Sequence, residues 1–424
     1  MEIRCIPEFM VRKLKILLSS FRQDGVRKSV QLVISRILDN VLNVLYYHSL
    51  PVNNNRLLFF STPDYSDNAR ALYDYMVSQN LDKTYDLIWA VADSKKLNQL
   101  RKAGIKCVKQ TAIFPSGGMH RLWYYGKTAK YIFHTHGHPF GVERKDGQII
   151  INLWHGGMGF KIDKGAIHRI GEINYTSDYV LTSGNGKITE HVALTFHCCP
   201  YESLLPLGLP RNDLLFKSYS IQYLDSFSGK KILWMPTFRQ SANKYISDST
   251  LKSDTGLPIL NTPSNLYELN KFLNEGDIHL FIKLHPLQII EKIVQVDLSH
   301  IHILTNSDLE GINVQLYEIM NQFDALITDY SSVSFDYLYL DRPIGYTLDD
   351  FEEYRESRGF PMDNPLDYMP GHHIYTYDDL IGFIQDVIGD KDDYASERDI
   401  VRKEVGMLEG GNCCWRILEF FEIN

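Results

Sequence analysis

DALITDYSSVSFDYLYLDRP, residues 324–343, decides how the fold is read. Its first part, Ala325-Leu326-Ile327-Thr328, is a short apolar run rich in branched side chains, the pattern of a buried strand. Asp329 and Tyr330 turn the chain, and Ser331 and Ser332 are good N-cap residues for a helix beyond them. Val333, Phe335, Leu338 and Leu340 then form a roughly helical apolar stripe that stops before Pro343. A strand that ends in a serine turn and opens a helix aims backbone N–H groups at one point, which suits an anion such as phosphate. On this stretch alone, an ordinary βα turn with a serine cap is an equal reading. The rest of the chain separates the two.

Working outward, the same strand-and-helix unit recurs. Upstream, apolar runs predict strands over 56–61, 85–91, 105–108, 130–133, 148–154 and 178–184. Helical patterns fall at 68–76 and 95–102, the latter closed by Gly104. A second α/β unit comes next, with strands at 230–235, 279–284 and 301–304 and helices at 266–273 and 314–320. Residues 240–264 read as a long polar loop, 348–356 as an acidic loop (a lid or a solvated segment) and 370–373 as a turn. Helices are expected again at 378–388 and 414–421. Regular alternation of strand and helix argues for parallel sheets with helices on both faces, and in such sheets ligands sit at the C-terminal strand ends. The expected division is a basic helical segment over 1–50, a first α/β domain over 51–225 and a second over 226–424, with the last helix packing back on the first domain.

Composition narrows the class. The chain has 424 residues, 44% hydrophobic and 23% charged, the profile of a soluble globular protein. A net charge of −8 argues against a nucleic-acid partner held by a global positive field. The six cysteines show no CxxC spacing and read as reduced thiols of a cytosolic protein. Neither a signal peptide nor an 18-residue apolar run is evident, so no membrane span is expected. The N-terminus departs from the average: residues 1–36 hold eight basic against three acidic residues. From Val30 a stripe through Val33, Ile34, Ile37, Leu38, Val41, Leu42 and Leu45 has helical spacing. A basic amphipathic segment on an acidic chain suits an anionic membrane surface, and helices that simply pack on the first domain are the alternative.

Several polar residues stand at strand exits. His155 comes directly after the strand at 148–154 and opens a glycine turn, His155-Gly156-Gly157-Met158-Gly159. A histidine there is placed as a general base or else caps the turn, and the glycines let backbone approach a ligand. In the second unit, Thr237 and Arg239 leave one strand, His285 leaves another, and the Asp329–Ser332 turn leaves a third. Arg211, in Gly208-Leu209-Pro210-Arg211-Asn212-Asp213, either grips a phosphate or pairs with Asp213 to shape the turn. Glu409 and Asn412 either bind ribose or base or cap the last helix. His134, His136 and His138 alternate as metal ligands can, but no other ligand cluster supports them and the adjoining Pro139-Phe140-Gly141 reads as a loop.

Five motifs fall in a telling order: Trp154-His155-Gly156, Gly208-Leu209-Pro210-Arg211-Asn212-Asp213, Met235-Pro236-Thr237-Phe238-Arg239, Leu284-His285-Pro286, and Ile327-Thr328-Asp329-Tyr330-Ser331-Ser332 through Asp336. The set resembles the CDP-glycerol glycerophosphotransferases, the teichoic-acid and capsule polyol-phosphate transferases, over residues 148–424. The resemblance implies a GT-B architecture, two Rossmann-like domains facing a cleft, with acceptor on the first domain and CDP-glycerol or CDP-ribitol on the second. It implies that His155 deprotonates the acceptor hydroxyl and that His285 stabilises the pyrophosphate or the leaving CMP. Gly156, Arg211, Thr237, Arg239, Asp329, Ser331 and Ser332 would line the phosphates. One departure stands at Gly157-Met158-Gly159, where members often carry Thr-Pro; it falls beside the acceptor. Lys161 and Lys164 beyond it suit an anionic acceptor.

The resemblance further implies a peripheral enzyme on the inner face of the bacterial cell membrane, acting on a lipid-linked or polymeric acceptor. No cofactor is expected; a divalent cation is compatible with the chemistry, but nothing in the sequence asks for one. The alternatives are a GT-B glycosyltransferase that uses a nucleotide sugar and a non-catalytic scaffold, and the joint presence of His155 and His285 argues against the scaffold. The polyol, the acceptor, the number of units added and the oligomeric state are not readable from these residues.

Overall fold

The structure, a computed structural model, describes residues 34, 41, 49–110, 118–136, 144–161, 177–219, 221–237, 253–284 and 298–424. The expected basic helices, Arg239 and His285 therefore lie outside the described residues, apart from the helical and exposed Ile34 and Val41.

Two sheets organise the chain. The first contains β1 (Asn53–Phe60), β2 (Asp86–Val91), β3 (Cys107–Lys109), β4 (Ala129–His134), β5 (Ile149–Asn152), β6 (Tyr179–Leu181) and β7 (Leu204–Leu205), in the order 3-2-1-4-5-6-7. The second contains β8 (Lys230–Trp234), β9 (Ile278–Lys283), β10 (Ile301–Leu304), β11 (Ala325–Thr328), β12 (Ile344–Thr347) and β13 (His372–Ile374), in the order 10-9-8-11-12-13. The described pairings run parallel; Leu326, for example, lies opposite Leu233 on one side and Ile344 on the other. Counted from its own first strand, the second sheet has the Rossmann order 3-2-1-4-5-6, so its topological switch point lies between β8 and β11.

The strand sequences explain why both faces of this sheet are covered. Along β8, Ile232 and Trp234 enter one apolar cluster while Leu233 enters another. Along β9, Leu280 and Ile282 face one way and Phe281 the other; along β11, Ala325 and Ile327 oppose Leu326. A period of two with apolar residues at every step is what a doubly covered parallel strand requires. Each such side chain taken fully out of water contributes roughly 1.5–3 kcal/mol. In the first sheet, Leu58, Ile88, Ile132 and Ile150 share one face. On the other face, Phe59 stacks on Trp89 at 5.5 Å and on Phe133 at 5.3 Å.

Residue contacts divide the chain into a unit of 1–69, 73–152 and 176–178 and a unit of 70–72, 153–175 and 179–424. The division expected from the sequence, after residue 225, is therefore displaced. The turn Pro210–Phe216 groups with the second unit because Arg211 and Asn212 bond Asp336 and because Asp213 caps the last helix, Cys413–Phe420. That helix also sets Phe421 against Tyr179, with ring centroids 5.6 Å apart.

Three local readings are corrected. The acidic stretch at 348–356 is not a loop: Phe351–Ser357 is helical, because Phe351 and Tyr354, three apart, both bury. The turn at 370–373 continues into an edge strand, His372–Ile374, paired to β12. The strand expected through Trp154 stops at Asn152, since Trp154 adopts a left-handed backbone (φ 56°). Among the described residues no helix is long and apolar enough to cross a membrane.

Candidate functional site

All the geometry of this site belongs to the second unit. At the switch point, β8 exits through Met235-Pro236-Thr237 and β11 exits into Asp329. Asp329 is fully buried, and its Oδ2 accepts both the backbone N–H and the hydroxyl of Thr237, each at 2.8 Å. Thr328 Oγ1 adds a 2.9 Å bond to the Met235 carbonyl. The two strand exits are thus tied where ligands enter open α/β sheets. Tyr330 turns the other way: its hydroxyl donates to Asp350 at 2.9 Å and its ring stacks on Tyr354 at 3.9 Å. With Asp329 and Tyr330 anchored on opposite sides, Ser331 and Ser332 stay half-exposed at the apex. The short helix Val333–Tyr337 begins there and is buried along its length. Ser332 is its N-cap residue and makes no side-chain cap bond; Ser331 Oγ instead accepts from the Val333 N–H at 3.5 Å, so of the two serines expected to cap, Ser331 does so.

The glycine turn after β5 lies against this apex. Gly157 has φ 63°, a left-handed backbone that favours glycine, and a Cβ there would press on Leu209 Cδ1 at 2.8 Å. Met158 N–H donates to Ser183 Oγ at 3.1 Å. A Cβ on Gly159 would meet Ser332 Cβ at 3.3 Å. Phe160, fully buried, packs on Phe335 with ring centroids 5.0 Å apart. The His155 loop and the serine turn, some 175 residues apart in sequence, are therefore neighbours.

Arg211 joins them from below. Its Nη1 donates to the His155 carbonyl at 2.6 Å and its Nη2 to Asp336 Oδ2 at 2.8 Å. Asp336 also accepts from Asn212 at 3.0 Å and from the Tyr317 hydroxyl at 2.5 Å, and the guanidinium lies over the Tyr317 ring at 4.7 Å. Arg211 and Asp336 are both nearly inaccessible to solvent. The arginine thus pairs neither with Asp213 nor with open solvent. Asp213 is used elsewhere, accepting from the N–H groups of Cys413 and Cys414 at 2.8 Å each.

Of the remaining sequence-derived candidates, Gly156 is partly exposed beside Trp154. Glu409 and Asn412 are exposed; each offers its backbone carbonyl to Arg416, Glu409 to a guanidinium nitrogen and Asn412 to the N–H. Asn412 is the N-cap residue of the last helix without a side-chain cap bond. His134 is buried with Nε2 on Ser177 Oγ at 2.8 Å, while His136 bonds Thr135 at 2.9 Å; His138 lies outside the described residues.

Two further groups fall outside the five motifs. His197 ends the helix Lys187–His197 and sits edge-on to Trp154 at 4.6 Å. Burial, with a smaller contribution from His155, pushes it down to about 3, so it is neutral at physiological pH. Lys283, the last residue of β9, is buried; its ammonium donates to Asn306 Oδ1 at 2.6 Å and to the Leu284 carbonyl at 3.1 Å. Burial pushes it down to about 8, against an opposing pull from Asp308. A hydrophilic residue inside an apolar strand run is the faint mark it leaves in the sequence.

Two parallel sheets of Rossmann type, with polar exits gathered at a switch point, define the GT-B class of α/β proteins. The chain belongs to the CDP-glycerol:poly(glycerophosphate) glycerophosphotransferase family, whose model matches residues 42–422. It is 26% identical over 416 residues to the teichoic acid ribitol-phosphate polymerase TarL of Staphylococcus aureus, covering 92% of this chain and 65% of TarL. It is 30% identical over 245 residues to the teichoic acid ribitol-phosphate primase of Bacillus spizizenii, covering 55% of each. The chain thus spans less than two thirds of the length of these relatives. The wall teichoic acid polymerase TagF shares the fold at a TM-score of 0.70 and 21% identity, over 93% of this chain and 96% of that one.

Proposed function

We propose that the chain transfers a polyol phosphate, glycerol phosphate first, from a CDP-polyol to a hydroxyl of a lipid-linked or polymeric acceptor, releasing CMP. The observation that carries this reading is the placement of the His155 loop on the serine turn of the switch point, through Gly159 against Ser332 and Phe160 against Phe335. A base and an anion cradle on one apex suit phosphoryl transfer, in which the protein mainly positions and stabilises charge.

In this reading Ser331, Ser332, Thr237 and Arg239 hold the pyrophosphate, with Asp329 fixing the turn that presents them. The acceptor hydroxyl gives its proton to His155 as its oxygen attacks the phosphorus that bears the polyol. The bond from that phosphorus to the CMP oxygen breaks, and His285 stabilises the departing charge. A phosphodiester remains. Arg211 acts as a positioning residue, since its guanidinium holds the His155 carbonyl and Asp336. Glu409 and Asn412 are assigned to the nucleoside, and no metal or cofactor is assigned a role. The product belongs to a teichoic-acid-like or capsule polymer. The enzyme works in the cytoplasm on the inner face of the bacterial membrane, with the basic segment 1–36 against anionic lipid.

The deciding assay is CMP release from CDP-glycerol and from CDP-ribitol, with a lipid-linked polyol-phosphate acceptor, for wild type and His155→Ala. Acceptor-dependent CMP from one donor, lost in the variant, supports the reaction and its base and names the polyol. No CMP from either donor by folded protein would overturn it in favour of a nucleotide-sugar transferase.

A further inference from the structure

Away from the strand exits, at the opposite end of the second sheet, the sequence places Asp277-Ile278-His279 at the start of β9 and His300-Ile301-His302 at the start of β10. Asp277, with a left-handed backbone (φ 48°), stands immediately before β9, and His300 immediately before β10. The parallel register sets Ile301 opposite Leu280 and His302 opposite Phe281, so the two short motifs lie side by side. One ligand atom from each of Asp277, His279 and His300 lies within 4.8 Å of the others, the one such group among the described residues. The His279 and His300 rings stack at 4.6 Å with only 7° between their planes.

We propose that Asp277, His279 and His300 form a zinc site that clamps edge strand β10 to β9. Two imidazoles and a carboxylate, with a fourth position for solvent, are a ligand set that suits this ion. One nitrogen of each ring is held by a neighbour, the support that metal-binding histidines use, and the half-exposed His300 turns out of the parallel stack so that both in-plane lone pairs meet one ion. His279 Nδ1 is bonded to His302 Nε2 at 3.0 Å, leaving its Nε2; His300 Nδ1 is bonded to Ser299 Oγ at 2.9 Å, leaving its Nε2. Ligand atoms around one zinc at ~2.1 Å sit roughly 3.4 Å apart, so the ion draws the three groups together. Asp277 is exposed and His300 half-exposed, so both have room to move. The site stands apart from the proposed transfer chemistry, at the N-terminal rather than the C-terminal strand ends.

The test uses full-length, tag-free protein stripped with chelator and dialysed. Zinc binding is followed by calorimetry, metal content by mass spectrometry, and the coordination sphere by the visible bands of the cobalt-substituted protein. Wild type should take up one equivalent, show tetrahedral cobalt bands and melt at higher temperature with zinc than in chelator. His300→Ala and Asp277→Asn alter exposed or half-exposed side chains and should melt like wild type in chelator. They should lose at least about tenfold in zinc affinity together with the zinc-dependent rise in melting temperature. Absence of stoichiometric binding to wild type, or binding unchanged in both variants, would overturn the proposal.

Discussion

A single carboxylate oxygen, Asp329 Oδ2, receives both the backbone N–H and the side-chain hydroxyl of Thr237, each at 2.8 Å. Both residues are buried at the ends of adjacent parallel strands, β8 and β11. Removing the carboxylate strands a buried N–H, which costs about 1–3 kcal/mol. Asp329→Ala is therefore expected to lower the unfolding free energy by that amount, read as a lower urea midpoint with an unchanged slope, and to raise the KM for CDP-glycerol at least about tenfold. Thr237→Ser keeps both donors and should stay close to wild type. If Asp329→Ala binds donor normally, the tie has no part in shaping the donor site.

Arg211 and Asp336 make a second test. A buried ion pair broken by loss of one partner typically costs about 3–5 kcal/mol. Asp336→Ala also strands Asn212 and the Tyr317 hydroxyl, so it should fall in the upper part of that range in chemical denaturation. Arg211→Lys keeps the charge but cannot bridge the His155 carbonyl and Asp336 with one planar fork. Its expected signature is kcat lowered about tenfold or more with donor KM changed by less than about threefold. A large rise in donor KM with kcat intact would instead assign the arginine to donor phosphate.

The elements legible in sequence were those whose signal is local. β1, β2, β8, β9 and β11 are apolar runs bounded by turn residues, and each stands where its run predicts. β12 is four residues with a glycine inside and draws no assignment from the sequence, and β13 comes after Pro370-Gly371 and reads as a turn; in both, pairing with a neighbour decides the outcome. The helix Phe351–Ser357 has two buried anchors among acidic residues, too few for periodicity to show. The approach of Gly159 to Ser332 and the pairing of Arg211 with Asp336 join distant segments. The motifs mark these residues, but the partner of each is set by the fold.

His197 makes stability depend on pH. In the unfolded chain its imidazole has an ordinary value near 6.5; in the folded protein burial pushes it down to about 3. Above pH 6.5 neither state holds the proton, and the full stability is present. Between pH 6.5 and 3 only the unfolded state gains the proton, so stability falls as pH falls. By pH 5 this histidine alone should have removed about 2 kcal/mol. His197→Gln should therefore lose about that much less than wild type when urea unfolding is compared at pH 7 and pH 5. Parallel losses in the two proteins would mean that burial does not hold this imidazole neutral.

Gly157 and Gly159, two residues apart, should fail in different ways. Gly157 has a positive φ, and a Cβ there would press on Leu209 Cδ1 at 2.8 Å. Gly157→Ala meets both a left-handed backbone penalty of roughly 1–2 kcal/mol and a clash, so it should lower the melting temperature clearly. At Gly159 the nearest atom to a Cβ is Ser332 Cβ at 3.3 Å, a contact relieved by a shift of a few tenths of an ångström. Gly159→Ala should therefore fold with stability within about 1 kcal/mol of wild type. Its cost should appear in turnover, because the shift separates the His155 loop from the serine turn; a misplacement of about 1 Å can cost on the order of 100-fold, so a several-fold drop in kcat is expected. Thermal melts and CMP-release kinetics on the two variants separate these effects. Full kcat in a folded Gly159→Ala protein would remove the close approach of loop and turn from the catalytic arrangement, and with it the observation on which the proposed chemistry rests.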